Sequence, residues 1–465
     1  MHRASRKDTI AAVATPPGEG GVGIVRLSGP QSAAIAAAMF TAAARGFAGL
    51  QPHHLHYGTL RDAEGRVLDD VLAAHMPGPR SYTGEDVVEF HCHGGRAVVA
   101  AVLAEVLDRG ARQAERGEFT LRAFLNGRLD LTQAEAVAEM IHAPTKGALH
   151  LAQLKLSGVL GERIRALRAR LEEQRAQLCL AVDFPEDDVE CLPPDVLADV
   201  AERTAAEIGE LLAGVERTRA WREGALAVLL GRVNAGKSSL LNALLGKSRA
   251  IVTDIPGTTR DYLEESLNLD GLTVRIADTA GLRETEDAVE RAGLEISREL
   301  AGRADLVLLL VDGSGPLTDD VAATVAGLDP ARTLAVVNKI DLLPEGSAAS
   351  GVGAALRAAG LETVAVSAKR GDNLSLLAAR MRERVLAGAG EPDPDELAPN
   401  ARQARALAAA REELAALAAD ARASIPHDLL GVRLETACTV LGEITGEIAP
   451  ADVLNAIFDT FCIGK

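Results

Sequence analysis

The sequence lacks any long apolar run. Its longest strongly apolar stretch, Ala33 to Ala44, is mostly alanine and falls well short of the roughly 20 residues that a bilayer-spanning helix needs. No apolar region of the signal-peptide kind follows the charged start MHRASRKDTI. Cysteine is also scarce, and the five cysteines form neither a disulfide framework nor paired CxxC motifs. We therefore expect no membrane segment and a reducing, cytoplasmic location.

Basic side chains are outnumbered, with 49 Lys and Arg against 66 Asp and Glu, a formal net charge of −17. Such a chain repels a phosphate backbone unless basic groups gather at a patch. One helical segment does carry a basic stripe, offset by Glu162, Glu172 and Glu173. The offset favours a solvated face over a nucleic-acid contact. The stripe consists of Arg163, Arg165, Arg168, Arg170 and Arg175.

At 465 residues, 48% hydrophobic and 25% charged, the chain is too long for one core and too apolar for disorder. Between Gly224 and about Val385, short apolar runs alternate with helical stretches, which is typical of a mostly parallel sheet with helices on its faces. The predicted strands are ALAVLL (225–230), LTVRIAD (272–278), ADLVLLLVD (304–312), TLAVVN (333–338) and ETVAVS (362–367).

Helical periodicity flanks this α/β segment on both sides. It is set by Leu160, Ile164, Leu167, Leu171 and Leu178, continued by Leu197, Val200, Ile208, Leu211 and Val215, and resumed by Leu407, Leu414 and Leu417. The N-terminal part is instead rich in glycine turns and β-prone segments. We predict a multidomain fold: an α+β domain (1–126), an all-α helical domain in two parts (127–221 and 388–465), and an inserted α/β domain (222–387).

A phosphate-loop motif, GxxxxGK[ST], spans Gly231 to Ser238, after the predicted strand ALAVLL and at the start of a helical segment. Glycine lets the backbone N–H groups and the helix N-terminus face the phosphates. Lys237 brings a positive charge to the β- and γ-phosphates, and the Ser238 hydroxyl can ligate Mg²⁺. The predicted nucleotide-binding residues here also include Asn234, Ala235, Gly236 and Ser239.

Three further motifs stand at predicted strand ends, namely DTAG, NKID and SAK. Asp278 begins DTAG, where a carboxylate can reach the metal through water and the Gly281 amide can sense a γ-phosphate. Asp341 of NKID can accept hydrogen bonds from the ring N–H and the amino group of guanine, which adenine cannot offer. Together the motifs predict a P-loop GTPase domain. Its other predicted base-site residues are Asn338, Lys339, Ser367, Ala368 and Lys369.

Two positions depart from the Ras pattern. Leu282 follows the DTAG glycine, where a Ras-type enzyme has a water-orienting glutamine, so another group must take that role. Glu290 lies close by in the acidic stretch ETEDAVER, although a charge run is more often a solvated face. Asn234, inside the phosphate loop, can offer an amide oxygen to a monovalent cation beside the phosphates, or it only braces the loop. Residues 251–261 (IVTDIPGTTRD) follow as a predicted switch loop.

These segments, with the N-terminal ATPPGEGGVGIVRLSG, SYTGEDVVEF and HCHGG and the C-terminal FCIGK, closely resemble the tRNA modification GTPase MnmE (TrmE) family. The likeness spans nearly the entire chain. It implies a potassium-stimulated GTPase that forms a homodimer through its N-terminal domain and a heterotetramer with the flavin-dependent enzyme MnmG. The pair would build an aminomethyl or carboxymethylaminomethyl group on the wobble uridine of tRNA. The carbon would come from a 5-formyl or 5,10-methylene tetrahydrofolate bound in the N-terminal domain.

The resemblance also implies roles for individual residues. It makes Glu290 the residue that orients the attacking water, alongside Lys237 and Asn234 as catalytic groups. It assigns potassium to Asn234 and the backbones of Thr253, Ile255 and Thr258, and magnesium to Ser238 and Thr259; Thr253, Thr258 and Thr259 would also contact GTP. It places folate on Arg26, Glu89, Arg128 and Lys465. Arg128 stands where the family pattern has lysine, which keeps the charge but changes the donor geometry.

Other reactive side chains have simpler explanations as well. Cys462, near the C-terminus, is a candidate nucleophile, although no histidine is close to it in sequence and a packed thiol is the alternative. Of the residues in HCHGG, only His91 and His93 share a strand face, and no second ligand pair is near, which argues against zinc.

Two other functions compete with tRNA modification. A ribosome-assembly GTPase would be expected to carry a strongly basic RNA-binding appendage, such as a KH-type GXXG loop, and this acidic chain shows none that we identify. A regulatory GTPase would recruit effectors and do no modification chemistry. Folate binding by the N-terminal residues separates tRNA modification from both alternatives.

Overall fold

The computed structural model describes residues 8–183, 193–232, 234–248, 264–278, 302–343, 351–387 and 395–465. The chain divides into two compact units. The first unit combines Met1–Ile141, Lys155–Gly209 and Ala401–Lys465, and the second combines His142–Leu154 with Glu210–Asn400. Several distant stretches of the chain therefore build each unit, as expected for one domain inserted in another.

A mixed sheet of seven strands forms the N-terminal part of the first unit, in the order β3-β4-β5-β6-β2-β1-β7. Neighbouring strands pair antiparallel, except that β1 and β7 are parallel. The strands are β1 Ile10–Val13, β2 Gly20–Ser28, β3 Phe40–Ala42, β4 Leu55–Arg61, β5 Val67–Met76, β6 Val87–Gly94 and β7 Arg112–Gln113. This arrangement confirms the predicted α+β class for the N-terminal part.

Helices α1 (Ser32–Met39) and α2 (Arg96–Asp108) cover one face of this sheet. Alternate strand residues such as Val25, Leu27 and Phe90 point into the core beneath them. Helix α3 (Glu118–Leu125) follows and packs with the C-terminal residues Phe458 and Phe461 in a separate apolar cluster. The far end of the chain thus returns to the N-terminal part of the unit.

Long amphipathic helices make up the rest of the first unit and continue partly into the second. They are α4 Leu131–His142, α5 Lys146–Leu156, α6 Val159–Asp183, α7 Pro194–Glu223, α12 Ala401–Arg422, α13 His427–Thr445 and α14 Ala451–Phe458. The predicted helical period is confirmed, because its apolar residues in α6 and α12 are buried: Leu160, Ile164, Leu167, Leu171, Leu178, Leu407, Leu414 and Leu417.

The second unit contains a six-stranded sheet in the order β13-β12-β11-β8-β10-β9. All its pairings are parallel except that of β9 with β10. The strands are β8 Ala225–Leu230, β9 Glu264–Leu269, β10 Leu272–Asp278, β11 Leu306–Asp312, β12 Thr333–Asn338 and β13 Glu362–Ala365. Each of the five predicted strands is therefore present, and β9 adds an antiparallel edge that the apolar pattern did not indicate.

Helices accompany these strands in the alternation that the sequence predicted. They are α8 Lys237–Ser248, α9 Asp319–Ala326, α10 Val352–Ala358 and α11 Leu374–Leu386, with a short 3₁₀ turn at Ile340–Leu342. Parallel strands bring their carboxyl ends to one edge of the sheet, where the loops after β8, β11, β12 and β13 meet. The described residues of the predicted nucleotide site lie at strand ends, in these loops or in the first turn of the following helix, with Asp278 at the end of β10.

Candidate functional site

The phosphate loop follows β8 and leads directly into α8, which begins at Lys237. Two of its glycines cannot be replaced without strain. Gly231 has φ 151°, and a Cβ there would lie 2.4 Å from the Leu310 carbonyl oxygen. Gly236 has φ 98°, and a Cβ would lie 2.4 Å from Nδ2 of Asn338. The loop therefore needs glycine both for its backbone conformation and for close packing.

Lys237 folds back over this loop, as its Nζ donates to the carbonyl oxygens of Gly231 at 2.6 Å and Arg232 at 2.9 Å. The ammonium group thus lies over the loop at the N-terminus of α8, where the helix dipole and backbone N–H groups attract anions. Ser238 and Ser239 are exposed in the first turn of the helix. Asn234 is exposed within the loop in the left-handed conformation, with φ 66°.

Asn338 joins the phosphate loop to the SAK loop. It is buried, with 2% of its surface exposed, and its Nδ2 donates to the Ala235 carbonyl oxygen at 2.9 Å. Its Oδ1 accepts a hydrogen bond from the Ala368 N–H at 3.0 Å. Three motifs that are far apart in sequence are therefore held together by one amide side chain, which uses both its donor and its acceptor.

Asp341 and Ser367 form the polar end of the base site. The Ser367 hydroxyl donates to Asp341 Oδ1 at 2.7 Å and accepts from the Arg370 N–H at 3.1 Å. This hydroxyl is the main reason that the pKa of Asp341 lies below its ordinary value, so the side chain is a carboxylate at neutral pH. A carboxylate held in this way can accept the two N–H donors of guanine.

Lys339 belongs to the same loop and adopts a left-handed backbone conformation, with φ 63°. Its Nζ lies 2.7 Å from Oδ2 of Asp312, at the end of β11. The sequence reasoning did not single out Asp312. One signal points to Asp312: it is a carboxylate at the end of a buried parallel strand, and that strand lies next to the one that carries NKID.

Several predicted residues lie outside the described part of the chain. These are the switch-loop residues Thr253, Ile255, Thr258 and Thr259, together with Gly281, Leu282 and Glu290. Asp278 is placed at the end of β10. The potassium and magnesium ligands and the water-orienting role of Glu290 therefore stay predictions. Lys369 is exposed beside Ala368.

A second cluster of charged groups lies in the N-terminal part of the first unit. Arg26 on β2 faces Glu89 on β6, and its Nε donates to Glu89 Oε1 at 2.7 Å. The guanidinium lies 5.8 Å from the ring centre of Phe119 and 5.9 Å from that of Tyr82. These distances are in the cation–π range, so the two rings help to fix the orientation of Arg26.

The C-terminal residues reach the same cluster. The backbone of Ile463 bridges that of Arg116, and the Gly464 carbonyl oxygen accepts from Arg26 Nη1 at 3.3 Å. Gly464 has φ 97°, and a Cβ there would lie 2.2 Å from the Val13 carbonyl oxygen. Only glycine fits this close approach, and it brings Lys465 beside Arg26.

Lys465 is partly buried in this cluster. Burial lowers its pKa, the charge of Arg26 lowers it further, and the charge of Glu89 opposes both. The structure thus brings together three of the predicted folate residues, namely Arg26, Glu89 and Lys465. The fourth, Arg128, is exposed, and its Cγ lies near Gly84. Cys462 is exposed, and its carbonyl oxygen accepts from the Gly117 N–H at 3.5 Å.

A buried ion-pair network also lies in this part of the unit, and sequence reasoning missed it. Glu118 accepts from Arg112 Nη2 at 2.6 Å and from Arg122 Nη2 at 3.1 Å. Arg122 also contacts Asp8 at 2.7 Å and Glu85 at 3.1 Å. Because Asp8 and Arg122 are 114 positions apart, no local pattern could have linked them. The network ties the segment before β1, the loop before β6, strand β7 and helix α3 to one another.

The remaining candidates have ordinary partners. His91 pairs with Glu89 at 3.2 Å and His93 with Asp69 at 2.7 Å. Among the described residues, no three His, Cys, Asp or Glu side chains come together as a metal site. The arginines of the basic stripe each contact a carboxylate, as in the pairs of Arg163 and Arg170 with Glu207, both at 2.8 Å. This pairing supports a solvated face.

The phosphate loop lies at the start of a helix, and Asn338 joins it to the NKID and SAK loops at the edge of a mostly parallel sheet. This combination defines a P-loop GTP-binding protein. The family model for the MnmE helical domain matches residues 131–462, and the model for the GTP-binding protein TrmE N-terminus matches residues 9–128. The chain belongs to the tRNA modification GTPase MnmE family. It is a GTP-hydrolysing enzyme with a role in tRNA modification.

Full-length relatives support this assignment. A tRNA modification GTPase MnmE from Nitratidesulfovibrio vulgaris (strain DP4) is 55% identical over 462 residues, covering 98% of this chain and 99% of its own. Another from Roseiflexus castenholzii (strain DSM 13941 / HLO8) is 46% identical over 466 residues, covering 98% and 99%. Among the residues that the structure describes, no helix is both long enough and apolar enough to cross a bilayer.

Proposed function

We propose that this chain is a cytoplasmic, potassium-dependent GTPase that modifies the wobble uridine of tRNA together with a flavin-dependent partner of the MnmG type. The two proteins install an aminomethyl or carboxymethylaminomethyl group at the five position of the base. A tetrahydrofolate derivative, 5-formyl or 5,10-methylene, supplies the carbon. The observation that carries this proposal is the meeting of Arg26, Glu89 and Lys465 in the N-terminal part of the first unit.

The chemistry of this cluster suits a folate. The pterin ring of a folate offers an amino group and ring N–H donors, which a carboxylate such as Glu89 accepts, and the glutamyl carboxylates pair with cations such as Arg26 and Lys465. The half-buried ring of Tyr82 adds aromatic surface next to Arg26, whereas Phe119 is fully buried and serves only to orient the guanidinium. Tetrahydrofolate, when bound, supplies the one-carbon unit. The protein's own contribution is to hold and orient it, with Arg128, in the loop between α3 and α4, as a further cationic candidate.

Support for a homodimer comes from the open face of the N-terminal sheet, opposite α1 and α2. Tyr57 and Leu72 are cross-strand neighbours on β4 and β5, with 58% and 39% of their surfaces exposed. Leu72 in turn faces His91, which is hydrogen-bonded to Glu89. Apolar residues in adjacent positions on an open sheet face are typical of a protein interface. A second copy of the chain packed here would lie close to the folate cluster.

The nucleotide site carries the other half of the proposal. Lys237 and the N-terminus of α8 bind the phosphates, and Ser238 offers a hydroxyl to Mg²⁺. Asn234, exposed in the loop, offers an amide oxygen to K⁺, with Thr253, Ile255 and Thr258 as further ligands and Thr259 on Mg²⁺. Glu290 orients the attacking water. GTP hydrolysis then drives association of the two G domains of the homodimer. The proposal also includes a catalytic role for Cys462 in the modification reaction.

Equilibrium dialysis of the purified full-length chain with 5-formyltetrahydrofolate tests the proposal. We expect saturable binding, and Arg26→Ala should raise the Kd at least tenfold because it removes a charge-assisted pair. Arg45→Ala removes an exposed arginine from the same part of the chain and should leave the Kd unchanged. Absence of folate binding with intact GTP hydrolysis would favour a ribosome-assembly or regulatory GTPase without modification chemistry.

A further inference from the structure

Two turns meet at the edge of the guanine site, one after β11 and one after β12. The strands end in register, because Asp312 is the neighbour of Asn338 in the parallel ladder. The Gly313 N–H donates to the Asn338 carbonyl oxygen at 2.8 Å. A Cβ on Gly313 would lie 2.9 Å from the same oxygen. The turn after β11 is therefore held against the residue that joins the phosphate and SAK loops.

Asp312 is fully engaged at this junction. Its Oδ1 accepts from the Ser314 N–H at 2.9 Å and from the Ser314 hydroxyl at 2.6 Å. Its Oδ2 accepts from Nζ of Lys339 at 2.7 Å. Burial would raise the pKa of Asp312, but the hydrogen bonds from Lys339 and Ser314 lower it below the ordinary value. The group is thus a carboxylate at neutral pH, with its rotamer fixed by Ser314.

Lys339 is constrained at both ends as a result. Its backbone has φ 63°, an uncommon conformation for a side chain of this length, and lies between Asn338 and Asp341. Its ammonium group is held by Asp312. A free lysine side chain samples many rotamers, and ordering it on binding costs conformational entropy. Because both ends of the side chain are fixed, its four methylene groups are held in one conformation, in the same loop as Asn338 and Asp341, which read the base.

We propose that Asp312 is a positioning residue for guanine nucleotides, which acts by holding Lys339 so that its methylene stem forms one wall of the base site. The ammonium group of Lys339 is paired with Asp312, and the methylene groups of the side chain offer apolar surface to the face of the base. The hydrogen-bonding edge of guanine is read separately, by Asp341, Asn338 and Ala368. Asp312 therefore contributes to the affinity for the nucleotide but not to the discrimination between guanine and other purine bases.

A double-mutant cycle on nucleotide affinity tests this proposal. Fluorescent GDP is titrated into the full-length wild type, Asp312→Asn, Lys339→Ala and the double variant. Asp312→Asn should raise the Kd about 3- to 10-fold, because asparagine keeps an acceptor for Lys339 but removes the charge that strengthens this hydrogen bond. In the Lys339→Ala background the same change should have an effect below about twofold, because the wall that Asp312 positions is already gone.

Two further readouts separate positioning from a structural role. With GTP, the KM of Asp312→Asn should rise while kcat at saturation stays unchanged, and the ratio of GDP to IDP affinity should not move. Asp319→Asn, which removes an exposed carboxylate in the first turn of α9, should leave the Kd as in the wild type. An unchanged Kd for Asp312→Asn, or an equal loss in both Lys339 backgrounds, would overturn the proposal.

The proposal rests on NKID as the guanine site, and one control checks that assignment independently. Asp341→Asn should change the ratio of GDP to IDP affinity, since it alters the group that reads the amino position. If Asp341→Asn has no effect on either nucleotide, the site itself is misassigned. If it has the expected effect and Asp312→Asn does not, only the positioning role fails.

Discussion

Replacing Asp341 with asparagine perturbs the guanine site without changing its shape. The carboxylate accepts the Ser367 hydroxyl through Oδ1 at 2.7 Å, a contact that the amide oxygen of asparagine can keep. What changes is the group available to the base. A carboxylate offers two acceptors, whereas an amide offers one acceptor and one donor. Guanine presents two donors at this edge, so one of them would face an N–H₂ group.

The expected loss follows from these partners. A hydrogen bond to a charged group contributes roughly 1.5 to 3 kcal/mol, and an unpaired donor at the site adds a desolvation cost. We therefore expect a total loss of about 2 to 4 kcal/mol, which corresponds to a roughly 30- to 700-fold rise in the Kd for GDP. Ser367→Ala removes a hydrogen bond that orients the carboxylate, but it leaves both acceptors of Asp341 available to the base, so its effect on affinity should be smaller, about 0.5 to 1.5 kcal/mol or roughly 2- to 12-fold.

Titration with GDP and XDP distinguishes recognition from general damage. Xanthine carries a carbonyl where guanine carries its amino group, so the asparagine amide can donate to it. Asp341→Asn should therefore bind XDP more tightly than GDP, whereas the wild type should prefer GDP. A variant that loses both nucleotides equally would show that Asp341 supports the loop and does not read the base, and our assignment of the site would be wrong.

Two predictions concern hydrolysis. GTP turnover should be faster in potassium than in sodium at equal ionic strength, and Asn234→Ala should abolish most of the difference, because Asn234 supplies a side-chain ligand of the cation; equal rates in both salts would sink the idea. Glu290→Ala should slow turnover with nearly unchanged GTP affinity, since a group that acts on the attacking water contributes in the transition state; weaker binding at unchanged turnover would contradict that role.

The nucleotide sheet was predictable because its signals are local. Buried parallel strands read as continuous apolar runs, and four strands begin where the pattern placed them, with β11 starting two residues later. Strand β9 escaped because only Leu267 and Leu269 of EESLNL point into the core, while the other positions are polar. An antiparallel edge strand needs only one buried face, so its apolar residues alternate with polar ones. In a strand of six residues this alternation is too short to be distinguished from a loop.

The N-terminal cluster could not be derived from local patterns. Arg26 and the Gly464 carbonyl oxygen are 438 positions apart, and the contact requires that the last residues of the chain lie against β1 and β2. Periodicity identifies a helix or a strand but carries no information on which distant element it meets. Resemblance to a family was the sole route from sequence to this site, and it did not indicate the aromatic pair beside Arg26.

Trp221 shows how packing extends the nucleotide-binding unit beyond its α/β pattern. The apolar alternation begins at Gly224, yet the contacts of the second unit reach back to Glu210 and take in His142–Leu154. The indole is 5% exposed, a Cβ on Gly147 would lie 2.7 Å from its ring, and Arg382 of α11 lies 5.8 Å from its centre. A Cβ on Gly271, in the turn between β9 and β10, would lie 3.9 Å away.

That turn connects β9 to β10, the strand that ends at Asp278 and leads into DTAG. Helix α5, the end of α7 and the β9–β10 turn therefore share one buried ring. Close packing transmits displacement, since a filled interior has no space to absorb the movement of a large side chain. We therefore expect any shift of β10 that accompanies nucleotide exchange to alter the surroundings of Trp221, the only tryptophan in the sequence, and to change its fluorescence on mixing with GTP or GDP; an emission spectrum that ignores nucleotide would contradict this coupling.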